Sequence, residues 1–86
     1  MSDTESNTEP SLSRLRWLCR RGMKELDVMV TRYLDQHYAG ASPAERASFA
    51  RLLETVEDPD IWSWAMGYSE VPAEFADVVD GLRRHS

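Results

Sequence analysis

Along this chain apolar residues recur at steps of three and four, and no stretch alternates convincingly at a step of two, so the regular structure it specifies is helical. Five such sets follow one another. They are Leu12, Leu15, Leu18 and Cys19; then Leu26, Met29, Val30, Tyr33, Leu34 and His37; then Phe49, Leu52, Leu53 and Val56; then Ile61, Trp62, Trp64, Ala65 and Met66; and finally Phe75, Val78, Val79 and Leu82. Caps and breakers separate them. Ser11 or Ser13 can cap a first helix that should run to Arg20, before Gly22 interrupts the pattern. The second set should end near Tyr38 to Gly40, with Gly40 in the left-handed conformation that helix ends favour. Ser42-Pro43-Ala44-Glu45 has the form of a capping box with proline at the first helical position, and Asp58-Pro59 repeats the cap-plus-proline signal. Gly67 ends the fourth helix and Pro72 opens the fifth. The expected fold class is all-α: a compact bundle of five short helices forming a single domain over residues 11–86. Residues 1–10 carry no large hydrophobe beyond Met1 and are expected to be a disordered acidic tail.

A chain of 86 residues is enough for one domain and too short to enclose a large cofactor deeply, which points to a surface that works on a partner. Its formal net charge is −5, the wrong sign for a generic nucleic-acid binder. Six of the ten basic residues (Arg14, Arg16, Arg20, Arg21, Lys24 and Arg32) lie between positions 14 and 32, while Leu52 to Leu82 holds eight acidic residues and no basic one. The sequence is thus polarised into a basic and an acidic part. A single cysteine permits no intramolecular disulfide, and no apolar run approaches membrane-spanning length. The polar, acidic start resembles neither a signal nor a transit peptide, so the expected location is the cytoplasm.

Signatures of catalysis are missing from the sequence. Four glycines form no phosphate loop or dinucleotide fingerprint, and two histidines, His37 and His85, lie far apart. A Cys19–His37 nucleophile pair is possible by residue type alone, but Cys19 falls on the apolar stripe of the first helix, where it is expected to pack as a small hydrophobe. The expectation is of a protein that is not an enzyme and binds no metal.

The segment Arg20-Arg21-Gly22-Met23-Lys24-Glu25-Leu26-Asp27 places charges of both signs around a glycine at a helix junction. One reading is a plain helix start, with carboxylates at the positive end of the dipole, exposed arginines and a hinge glycine. The other is a recognition surface. Gly22 would let a partner backbone approach closely, and Arg21 and Glu25 would make directed contacts beside it. Trp62 and Trp64, two positions apart, cannot face the same way; one is expected in the core, with Trp64 as the partly exposed anchor for a partner. Tyr33 and Tyr38 are expected to pack with their hydroxyls in water.

Arg21-Gly22-Met23-Lys24-Glu25-Leu26-Asp27 resembles the Arg-Gly-x-x-Glu signature of the SdhE family of succinate dehydrogenase assembly factors. Tyr33 and Leu34, then Phe49, Leu52, Leu53 and Glu54, are similar to that family's second and third helices. Asp58-Pro59-Asp60-Ile61-Trp62-Ser63-Trp64 resembles its Asp-Pro-Asp segment, and the likeness runs from Leu15 to Leu82. The region is richer in tryptophan than the pattern, and the tail before Pro10 is longer than in many members. The resemblance implies a five-helix assembly factor that binds the flavoprotein subunit of succinate dehydrogenase, in some bacteria that of fumarate reductase. It would promote covalent attachment of FAD there while holding no cofactor stably itself. Carried over by position, Arg21, Gly22 and Glu25 form the partner-binding surface, with Arg20 and Asp27 as neighbours; the chain is expected to be a monomer. The alternative is a small helical regulator, antitoxin-like or DNA-binding, for which the basic cluster from Arg14 to Arg32 speaks.

Overall fold

The computed structural model describes residues 11–84; the tail expected over residues 1–10, and His85, lie outside them. Five helices form in the predicted order: α1 Leu12–Leu18, α2 Lys24–Gln36, α3 Pro43–Thr55, α4 Asp58–Ala65 and α5 Ala76–Arg84. Short 3-10 turns at Tyr38–Gly40 and Ala73–Phe75 lead into α3 and α5, and no strand occurs among the described residues.

Local chemistry fixes most of the boundaries. Of the two candidate serines, Ser11 caps α1, its Oγ accepting the Arg14 amide at 3.2 Å. The helix stops at Leu18, two residues before Arg20, because Cys19 and Arg20 close onto Leu15 and Trp17 in a tighter final turn. Lys24 opens α2 behind an extended Met23, with Glu25 and Asp27 in the favourable first turn. At its other end the predicted left-handed Gly40 does not occur. The chain tightens into the 3-10 turn instead, where the Gly40 amide donates to His37 O at 3.1 Å. Among the described residues only Gly67 has a positive φ, 78°, at the predicted stop of α4.

Only half of the predicted capping box forms at α3. The Ser42 hydroxyl accepts the Glu45 amide at 3.1 Å, but the Glu45 carboxylate turns inward rather than back to the cap. Its Oε2 accepts from the Tyr33 hydroxyl at 2.5 Å and lies 3.0 Å from His37 Nε2. The Tyr33 side chain is fully buried, and a buried hydroxyl must find an acceptor. This outweighs the cap and corrects the expectation of wet hydroxyls: Tyr33 and Tyr38 are both buried. Burial first, and the bond to Glu45 second, push the Tyr33 hydroxyl far above its ordinary pKa.

The core joins all five helices around Leu15, Leu26, Val30, Tyr33, Phe49, Leu52, Ile61, Val78 and Leu82. Tyr33 stacks on Phe49 with ring centroids 4.3 Å apart. Cys19 is buried among these residues as a small hydrophobe, as expected. Helix α5 lies on α2 through Gly81, where an added Cβ would stand 2.6 Å from Tyr33 Cε2, so only glycine fits. The two tryptophans depart from expectation. Ile61 and Ala65 set the inward direction of α4, and at about 100° per residue Trp62 and Trp64 flank it by roughly 80° on either side. Both are therefore half-buried, neither fully in nor out.

Candidate functional site

The predicted segment from Arg20 to Asp27 is held by a polar knot around Arg21. Its guanidinium donates through Nη1 to Leu18 O at 2.8 Å and Leu53 O at 2.9 Å, and through Nη2 to Val56 O at 3.1 Å. These carbonyls belong to the ends of α1 and α3, where helices leave acceptors unpaired and a cation is favoured. The Nε donates to Asp58 Oδ1 at 2.7 Å, and the Arg21 side chain is only 12 % exposed. The guanidinium fork is spent on partners inside the protein.

Asp58 is the first residue of α4 and not its cap; Glu57 holds the cap position without a side-chain bond. Reaching toward Arg21 frees the second Asp58 oxygen to accept the Gly22 amide at 2.9 Å. From the other side Asp27 Oδ1 accepts the Arg21 amide at 2.5 Å. Two consecutive amides, at 21 and 22, are thus tied to carboxylates on different helices. Burial alone would raise the Asp58 carboxyl; the Arg21 hydrogen bond, the Gly22 amide and the guanidinium charge outweigh it and hold it below the usual carboxylate value.

Gly22 is exposed and has no positive φ, and a Cβ there would sit 3.7 Å from Asp58 Oδ2, an ordinary contact. Nothing in the fold demands glycine at this position. Two residues on, Lys24 and Glu25 form the rim of an apolar groove between α2 and α4, about 390 Å³ in volume, completed by Val28, Met29, Trp62 and Met66. Glu25 is exposed and makes no ion pair or hydrogen bond through its side chain among the described residues. Arg20 is exposed in a shallower cleft on α1 with Ser13, Arg16 and Trp17.

The structure therefore brings together Gly22 and Glu25, places Arg20 nearby, and uses Arg21 and Asp27 as the scaffold beneath. It separates Trp64, whose ring stacks on Phe75 with centroids 5.8 Å apart. Trp62 takes the groove position instead. Trp17, 67 % exposed, goes unnoticed in the sequence reading, although its signal was present: at helical spacing it falls roughly opposite Leu15 and Cys19. Asp58 as a ligand for Gly22 had no such signal, because its carboxylate reads equally well as a cap.

The nucleophile reading of Cys19 loses its basis. Burial, opposed by the nearby Arg21 and Arg16 charges, pushes the thiol up to about 11, so the thiolate is scarce at neutral pH. Among the described residues no cluster of three metal-ligating side chains exists, and no helix is long and apolar enough to cross a membrane. The basic cluster is partly neutralised: Arg14 pairs with Glu54, Arg16 with Asp35 and Arg21 with Asp58.

A helical domain of this size, with a pinned glycine amide beside an open apolar groove, has the build of a small binding module. Residues 13–86 match the family model described as flavinator of succinate dehydrogenase. The chain is 47% identical over 77 residues to the FAD assembly factor SdhE of Xylella fastidiosa strain 9a5c, covering 87% of this chain and 78% of that protein. It is 44% identical over 74 residues to the SdhE of Shewanella oneidensis (85% and 89% covered) and 38% identical over 80 residues to that of Vibrio vulnificus (92% of each). The chain belongs to the flavinator family of succinate dehydrogenase, and the regulator alternative finds no support in these matches.

Proposed function

We infer that this protein binds the flavoprotein subunit of succinate dehydrogenase and promotes covalent attachment of FAD to it, as a chaperone-like helper and not as a catalyst. Family membership supplies the activity. The observation that carries the site is Gly22. It is exposed, its amide is tied down, and its lack of a side chain answers no need of the fold. A bare, pre-ordered backbone is what close approach by a partner requires, because no ordering cost remains at docking. Among the described residues Glu25, three positions further on, offers an unpaired carboxylate, and Arg20 an unpaired cation. Arg21 and Asp27 act beneath this surface as positioning residues.

In this reading the helper holds parts of the flavoprotein so that the flavin and its acceptor side chain meet, an effect of orientation. It works as a cytoplasmic monomer, holds no cofactor stably, and extends in some hosts to the fumarate reductase flavoprotein. The test is in-gel flavin fluorescence of the denatured subunit in a host lacking its own factor, supplied with the native chain, its Gly22→Arg variant or an empty vector. Fluorescence is expected with the native chain alone, the variant remaining helical by circular dichroism. Equal fluorescence from a folded Gly22→Arg variant removes Gly22 from the site; equal fluorescence in all three arms removes the function.

A further inference from the structure

The described cations divide into two groups. Arg14, Arg16, Arg21, Arg51 and Arg84 are ion-paired within the chain, and Arg46 and Arg83 donate to the carbonyls of Ala41 and Trp64. Among the described residues the remaining three, Arg20, Lys24 and Arg32, have no intramolecular partner. Arg20 lies apart, in the shallower cleft on α1, while the other two share α2. Lys24 and Arg32 stand two four-residue steps apart on α2, with Val28, 43 % exposed, midway between them. Lys24 and Val28 also line the α2–α4 groove, whose floor and far wall are Met29, Trp62 and Met66. In a chain of net charge −5, two of the three cations left unpaired among the described residues thus flank this apolar groove, Lys24 on its rim and Arg32 one turn beyond Val28.

We propose that this groove receives an amphipathic segment of the flavoprotein subunit, with one large apolar side chain entering between Val28, Trp62 and Met66 and carboxylates on either side of it facing Lys24 and Arg32. The proposal rests on the function inferred above and names the chemistry of the surface recognised. The spacing from Lys24 to Arg32 is about 12 Å along the helix axis, so the partner's acidic groups bracket the apolar one by about a turn on each side. Glu25, on the same rim, sets the polarity: the partner carries a donor at that end, beside the carboxylate that meets Lys24. The apolar contact supplies affinity, and the two cations supply steering and register. Met29 and Met66 give the groove walls that adapt to the shape of the incoming side chain.

The purified flavoprotein subunit is titrated with the native chain, with Lys24→Glu/Arg32→Glu, with Val28→Glu, and with Arg51→Glu/Arg84→Glu as a control of equal charge change on other helices. Affinity is measured at about 50 and 300 mM NaCl. The native chain should lose at least about tenfold in affinity across that range. The Lys24/Arg32 variant should bind about tenfold or more weakly at low salt and lose most of the salt dependence. Val28→Glu should weaken binding at both salt concentrations, and the control should behave as native. All five altered positions are exposed, and matching melting temperatures establish that the variants fold. Native-like binding by the Lys24/Arg32 and Val28 variants overturns the proposal while leaving the function standing. Failure of the native chain to bind the subunit at all overturns the function, and the proposal with it.

Discussion

Arg21 is the residue whose role changes most between sequence and structure. As a sequence position it offers a guanidinium to a partner; in the fold, four donated hydrogen bonds hold three helix ends together. Its carbonyl partners lie 3, 32 and 35 residues away, and no local pattern announces the two distant ones. Lysine keeps the charge but not the fork, so Arg21→Lys strands buried carbonyls. We expect a loss of about 2 kcal/mol in stability, read as a lower urea midpoint at unchanged slope. A midpoint equal to that of the native chain would free Arg21 to act as a contact residue. Gly81 was equally hidden. Its neighbours Val79 and Leu82 announce a buried stripe, but that the glycine between them meets Tyr33 on another helix depends on packing alone.

At the level of helices, existence and order were plain from the sequence, because three- and four-residue spacing, proline and serine act locally. Ser42-Pro43 and Asp58-Pro59 mark the starts of α3 and α4. What the same residues do with their side chains was not plain. Glu45 and Asp58 each abandon the expected capping role for a partner distant in sequence, Tyr33 on α2 in one case and Arg21 with Gly22 at the α1–α2 junction in the other. The Asp58 link joins the start of α4 to the α1–α2 junction and has a consequence in pH. Its folded-state pKa is depressed relative to the unfolded chain, so its contribution to stability is full above the ordinary carboxylate value of about 4 and declines as pH falls through the lower folded value. Melting curves of the native chain and Asp58→Asn should therefore differ at pH 7 and converge toward pH 3. A constant gap would mean that the carboxylate's charge is not what holds the junction.

For the whole molecule, the charge asymmetry of the sequence does not survive folding as two opposed ends. Arg14, Arg16 and Arg21 meet Glu54, Asp35 and Asp58, leaving a short basic edge beside the groove. The core that brings these segments together contains Cys19, which makes it a reporter of global opening. In native buffer at pH 8 a thiol reagent should modify Cys19 at least about 100-fold more slowly than in denaturant, at a rate that follows the opening of the bundle. Rapid native labelling would show that α1 opens independently of the rest.

Gly22 and Gly81 answer to different authorities. The fold requires the glycine at 81, since α5 cannot lie on α2 without it, whereas it is indifferent to the residue at 22. In a cell the two lesions would look nothing alike. A side chain at 81 strikes at the packing that keeps the protein out of reach of quality-control proteases, and its mark is a depleted pool. A bulky side chain at 22 is invisible to that surveillance. The cell would carry a normal, long-lived stock of an idle protein, and abundance measurements would pass it as healthy.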